Sequence, residues 1–367
     1  MNYYPIFSAC AVAFAVTVAF MIGLRPVAIS VGLVDSPGGR KYHVGDIPII
    51  GGVAMFMGAL AGLIVVGIDG IIFVGFGFAF FILVLIGTID DKFSVPVMVR
   101  VLVQIAAVLI VTVGSGYTLA SIGDPFGEGE ILLGPFAALG SLVVGITVIN
   151  AYNLVDGEDG LAGVLSLIPL IALAVIGDLN LTSTILSLIV SATIFGFLIF
   201  NFPVVVNRSI RSFMGDAGST LLGFTLFCVG LSASQGESAI ITPVAGLWFV
   251  AMPVFDCLTC FFKRVRARQS PFRPGRDHFH HMLQRGGFAI RGVLAILAGL
   301  QFVYVTGVVL AHMAGIADVY LFVTWCIVGM SQSWVIRAIS LRHRFYIFRT
   351  SRAGKPGSHR NARARTS

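Results

Sequence analysis

The chain has 367 residues, of which 57% are hydrophobic and only 11% charged, and its mean hydropathy is +0.96. Those values exclude a soluble globular protein, and no nucleic acid is expected among its partners. The net charge of +7 comes from 24 Lys and Arg against 17 Asp and Glu, so the placement of the basic residues becomes informative.

Apolar runs of about 18 residues or more mark helices that cross the hydrocarbon of a bilayer. In chain order such runs cover about 4–24, 48–67, 71–89, 97–116, 131–149, 161–177, 182–205, 217–234, 241–262, 292–313 and 319–338. The predicted fold is therefore an all-α integral membrane protein with about 11 transmembrane helices. No basic residue precedes the first run; Arg25 is the earliest, which favours a retained first helix over a cleaved signal peptide. Threading with the amino end outside places segments 25–47, 90–96, 150–160, 206–216, 263–291 and 339–367 on one side. Together with Arg100 and Arg337 at helix edges, they hold all 24 basic residues. The opposite loops carry Asp69, Asp124, Glu128, Glu130, Asp178, Glu237 and Asp318 and nothing basic. The positive-inside rule makes the basic side cytoplasmic, with the carboxyl end there too. Residues 1–338 read as one polytopic domain, and 339–367 as a basic cytoplasmic tail, expected to be disordered. The five cysteines all fall inside predicted spans, so no disulfide framework is implied. The pair Cys257 and Cys260 reads as small buried side chains rather than a zinc motif.

Polarity is gathered on the cytoplasmic side. In "NAYNLVDGEDG", residues 150–160, four polar side chains recur every three residues: Asn150, Asn153, Asp156 and Asp159. Helix capping explains one such residue, not four in register. Asp90 and Asp91 are adjacent at the end of the third run, an arrangement that repels unless a cation or a proton intervenes. Asp216 follows a glycine in "FMGDAGS", where it can cap a helix or hold a metal. His278, His280 and His281 lie in the longest cytoplasmic loop, among eight basic residues between Lys263 and Arg291. Carboxylates beside such a loop meet the needs of phosphoryl transfer. Mg²⁺ takes carboxylate and phosphate oxygens, while Arg and His hold the remaining phosphate charge. A transporter would keep its ionisable groups near the bilayer midplane instead.

"IDDKF", "NAYNLVDGEDGL", "FMGDAGST" and "PFRPGRDHFHHML" resemble, in order, the four signatures of the polyprenyl-phosphate N-acetylhexosamine-1-phosphate transferases. The resemblance runs over nearly the whole chain except the tail. Phe279 interrupts the histidine run. That pattern is similar to the branch using an N-acetylglucosamine donor, and unlike the muramyl-pentapeptide branch, whose three histidines are consecutive. The resemblance implies transfer of a sugar 1-phosphate from a UDP-amino sugar, UDP-GlcNAc foremost, to undecaprenyl phosphate. UMP is released, and a lipid-linked surface polysaccharide begins at the cytoplasmic face of a bacterial inner membrane. By the same resemblance Asp216 ligates Mg²⁺ (or Mn²⁺), Asp90 orients or deprotonates the acceptor phosphate, and Asp91 assists the metal or acceptor. Asn150, Asn153, Asp156 and Asp159 line the nucleotide and metal pocket, and Phe213 stacks on the uracil. His278, His280 and His281 contact the donor pyrophosphate, with Arg273 and Arg276 adding charge; Lys41 and His43 belong to a further cytoplasmic segment of the site. Another UDP-amino sugar, UDP-MurNAc-pentapeptide, and a secondary transporter are the alternatives. A homodimer is an open possibility, and Asp256 is an acid without an assigned role.

Overall fold

The computed structural model describes residues 4–36, 45–67, 70–114, 116–203, 210–270, 275 and 277–353. Among these, thirteen α-helices account for most of the chain: α1 (Tyr4–Val31), α2 (Gly51–Val66), α3 (Gly70–Phe93), α4 (Val97–Gly114), α5 (Ala137–Val155), α6 (Leu161–Ile176), α7 (Thr182–Asn201), α8 (Gly215–Ser234), α9 (Pro243–Phe249), α10 (Ala251–Arg266), α11 (Phe279–Arg285), α12 (Ile290–Met313) and α13 (Asp318–Ala353). A two-residue hairpin, β1 (Val34–Asp35) with β2 (Ile47–Pro48), departs from a purely helical expectation. Ile49 then bridges to Phe213 in parallel, tying this short sheet to the chain just before α8.

Seven of the described helices are long and apolar enough to span a bilayer, or eight if α9 and α10 form one broken span; α2 and α6 are shorter apolar helices. The chain is thus a multi-pass membrane protein. Its outermost helices face lipid: Phe302, Val303 and Leu310 on α12, and Tyr320, Met330 and Trp334 on α13, are largely exposed, as apolar side chains in a bilayer can be.

The ninth apolar run is broken. α9 and α10 meet at an angle of 82° instead of forming a continuous 241–262 helix. The cause is local: Pro253 has no amide to donate to the Phe249 carbonyl one turn back. Gln301, fully buried on α12, serves both stranded groups. Its Nε2 donates to the Phe249 carbonyl at 2.7 Å, and its Oε1 accepts from the Met252 amide at 3.0 Å. The last helix also differs from the sequence reading, which placed a tail from residue 339. α13 continues to Ala353, packing against α11 through the Ser340 hydroxyl, which donates to the Met282 carbonyl at 2.7 Å.

The centre of the bundle is α8, whose apolar window is 89% buried and which packs against α2, α3, α5, α6 and α7. Small residues permit this, as they do wherever membrane helices approach closely. A side chain at Gly52 of α2 would strike the backbone of Ala217 and Gly218, and one at Gly87 of α3 would strike Ala217 and Asp216. The first turn of α8, carrying Asp216, is therefore held between the ends of α2 and α3. That close packing sets the position of the acids described next.

Candidate functional site

α8 opens with Gly215 in the left-handed region (φ 68°), and a Cβ there would collide with the Asp91 carboxylate. The carboxylate occupies that space for a reason. Asp91 Oδ1 accepts from the Asp216 amide at 2.8 Å, and Oδ2 lies 3.5 Å from the Ala217 amide. An acid from the end of α3 thus caps α8 across the interface. Its neighbour Asp90 turns elsewhere: Oδ1 accepts from the Val95 amide at 2.6 Å and Oδ2 from Arg100 Nη1 at 2.6 Å. Arg100 Nη1 also reaches Asp216 Oδ2 at 3.1 Å, so one nitrogen joins Asp90 to Asp216. The other oxygen of Asp216 accepts from Asn153 Nδ2 at 2.8 Å, and the same amide group donates to Ser219 Oγ at 3.0 Å.

The three-residue register of 150–159 holds only in part. Asn153 points at Asp216, whereas Asn150 Nδ2 donates to Gln104 Oε1 at 2.8 Å and to its own helix at Ile146. Asp156 ends α5, and its carboxylate makes no hydrogen bond or ion pair with any described residue. Burial pushes its pKa well above the usual carboxylate range, and the charges of Asp216, Asp91 and Asp159 add to the effect. Asp159 is paired with Arg211. Glu158 accepts from Gln284 of α11, and burial raises its pKa to about 7.

These groups wall a cavity of about 720 Å³ that includes Asp156, Glu158, Asp159, Arg211, Phe213, Asp216, His281, Gln284 and Arg285. The Arg211 guanidinium lies 5.3 Å from the centre of the Phe213 ring. Behind it, Arg25 Nη1 donates to the Arg211 carbonyl at 2.9 Å and holds this segment to α1.

The histidines divide. His281 lines the cavity, but His278 and His280 are 5% and 1% exposed and do not. His278 Nδ1 lies 3.0 Å from Asp256 Oδ2, and Asp256 Oδ1 accepts from the Phe279 amide at 2.9 Å, starting α11. The previously unassigned Asp256 therefore anchors the histidine helix. Cys260 joins the group, its sulfur 3.5 Å from His278 Nδ1. His280 has no partner for either ring nitrogen and packs on Gly157, where a Cβ would lie 2.5 Å from Nε2. Burial, with the neighbouring His281 and His278, lowers its pKa to about 3, so it is neutral at physiological pH. Lys41, His43, Arg273 and Arg276 lie outside the described residues.

Sequence reasoning missed several members of this site. Glu158 lies inside a recognised motif, and Arg211, Gln284 and Arg285 lie beside others, so a signal existed in their neighbourhood. Arg100 carried none: it joins the site only because α4 brings it to Asp90 and Asp216.

A cluster of carboxylates, one of them unpartnered among the described residues, set beside Arg and His at a large cavity, is chemically suited to a dication and a phosphorylated ligand. The family described as Glycosyl transferase family 4 matches residues 73–234, the stretch containing Asp90, Asp91, Asp156, Asp159 and Asp216. Proteins named undecaprenyl-phosphate alpha-N-acetylglucosaminyl 1-phosphate transferase are similar over most of their length. The one from Yersinia pestis is 36% identical over 288 residues, covering 77% of this chain and 78% of the relative. That from Escherichia coli K12 is 36% identical over 292 residues, with the same coverage. That from Haemophilus influenzae is 33% identical over 350 residues, covering 94% and 96%. Shared sequence over this span, with the acids gathered at one mouth of the bundle, makes the chain a member of glycosyl transferase family 4.

Proposed function

We propose that the protein transfers N-acetylglucosamine 1-phosphate from UDP-GlcNAc to undecaprenyl phosphate, releasing UMP. The carrying observation is that Asp156, whose carboxylate pairs with no described residue, and Asp216 line one 720 Å³ cavity, with Arg211, His281 and Arg285 on the same walls. The named relatives supply the substrates of this reading.

Attack of one phosphate on another brings two anions together, so charge neutralisation and positioning dominate the barrier. Asp156 and Asp216 fit Mg²⁺ or Mn²⁺: both are hard oxygen donors, and no described residue competes for the Asp156 carboxylate. When bound there, the dication neutralises phosphate charge and stabilises the departing UMP. Asp91 is committed to the α8 amides, which makes it a positioning residue for Asp216. Asn153 orients the same carboxylate. Arg211, paired with Asp159 and stacked near Phe213, offers a cation and an aromatic face to a nucleotide. A phosphate monoester is already mostly ionised near neutral pH, so Asp90 orients rather than removes a proton.

In this reading the chain crosses the inner membrane about eleven times, with its amino end outside and its cavity cytoplasmic. Reporter fusions after Glu128 and after Arg268 then fall in opposite compartments; the same compartment for both refutes the topology. The activity test is purified protein with undecaprenyl phosphate and a panel of UDP-sugars. UMP release that requires Mg²⁺ and is fastest with UDP-GlcNAc is expected. No release from any UDP-sugar rejects the transferase, and faster release from another donor reassigns the sugar.

A further inference from the structure

Arg100 is bound in an unusual way for a residue that merely neutralises two acids. A guanidinium between two carboxylates would normally spread its contacts over its fork. Here Nη1 alone makes both, to Asp90 at 2.6 Å and to Asp216 at 3.1 Å. Nε is buried without a partner, and no described residue hydrogen-bonds to Nη2. The side chain is 29% exposed. Most of its donor capacity is therefore unused.

Its place is equally specific. Asp216 lines the large cavity and also a second one of about 20 Å³, walled by Arg100, Gln104, Asn150 and Asn153 among others. No other residue borders both. The large cavity carries most of the charged side chains, contributed by the α5–α6 connection, the segment before α8, and the ends of α8 and α11. The small one lies among helices: Leu83, Ile86 and Gly87 of α3 line it beside Arg100 and Gln104 of α4, and the same two helices expose the apolar Phe93, Met98 and Leu102 elsewhere on their surfaces. A two-substrate transfer needs two approaches to one centre, one suited to a nucleotide and one to a headgroup whose tail stays in hydrocarbon.

We propose that Arg100 receives the phosphate of the lipid acceptor through its free Nη2, between the apolar faces of α3 and α4. Nη1 meanwhile stays on Asp90. The small cavity has room for about one water, so the phosphate docks at the exposed edge of the guanidinium rather than inside it. Asp216 would hold a dication on the donor side, and Arg100, which shares that carboxylate, would then keep its charge for the acceptor. This assignment rests on the transferase reading for the identity of the acceptor.

The test compares undecaprenyl phosphate with undecaprenol, which differs only in the phosphate. In native mass spectrometry the wild-type protein should retain the phosphate over the alcohol, and Arg100→Gln should bind both alike. In turnover, Arg100→Gln should raise the acceptor KM about tenfold or more, as expected for one lost charged hydrogen bond, with the donor KM within about twofold. Arg100→Lys keeps a charge between Asp90 and Asp216 should the Gln variant fail to fold, and should show a smaller loss of the same kind. An unchanged preference for the phosphate, or equal losses on donor and acceptor, overturns the assignment. Should the wild type release no UMP, the transferase reading fails, while the phosphate-against-alcohol comparison still decides the role of Arg100.

Discussion

The acids at the head of α8 and the histidines of α11 are both polar clusters in an apolar chain, yet they are built in opposite ways. Around α8, Asp156 and Asp216 line a cavity, and Asp156 goes without a partner among the described residues. Around α11, His278 and Asp256 are buried and spent on each other, and His280 is sealed beneath Gly157. An unpaired buried carboxylate is expensive, and the raised pKa of Asp156 relieves that cost by favouring its neutral form. On the other side, the His278–Asp256 pair anchors the helix bearing His281, Gln284 and Arg285. The proposed function uses the polarity of the first site for binding; at the second it is mostly spent on construction.

The sharpest test of this contrast is Asp216→Asn or Asp156→Asn. Each should lower turnover about 10³-fold or more, as loss of a hard dication ligand does, while leaving the melting temperature unchanged or raised. Wild-type turnover at low Mg²⁺ in either variant would erase the distinction. Next is Asp256→Ala, which strands the buried His278 and the Phe279 amide. It should cost about 3 kcal/mol of stability, read as a lowered melting temperature in detergent. A variant as stable as wild type, with only turnover impaired, would move Asp256 to the binding side.

A milder change is Gly157→Ala. The added Cβ meets His280 at 2.5 Å, so overpacking should cost about 1–3 kcal/mol. Adding His280→Ala should recover much of that loss, and a melting study of the double variant measures the coupling. Independent, additive effects would show that His280 does not rest on this turn. The smallest effect concerns Glu158, which crosses from the α5–α6 connection to Gln284 and joins the two regions. Its folded pKa of about 7 lies above its ordinary 4.5. Its contribution to stability is therefore complete below pH 4.5 and lost as pH rises through about 7. Glu158→Gln should flatten part of the decline in melting temperature over that window in metal-free protein. An identical slope in the variant would mean that Glu158 does not sense the fold.

Legibility followed the range of the interactions. The apolar runs coincided with helices because about 20 residues must satisfy their own backbone in lipid, a local demand written in composition. The bend between α9 and α10 was half legible: Pro253 could be seen, but its remedy, Gln301, is some fifty residues away. Asp216 and Asp156 stood out because acids are rare in such a chain. Asn150 kept the same spacing yet turned to Gln104, since a period of three does not hold one direction on a helix of 3.6 residues per turn.

By itself the sequence determined that the chain is helical and membrane-spanning, which end of the bundle is charged, and which acids are out of place in it. The tertiary structure alone decided what each polar group does there. Asp91 caps α8 because glycines let α3 approach it. Arg100 joins Asp90 to Asp216 because α4 packs beside them. His280 is buried while His281, one residue on, faces the cavity. The physical reason is that hydrogen bonds and ion pairs act over about 3 Å. Distances that short between residues a hundred positions apart are set by how helices pack, not by spacing along the chain.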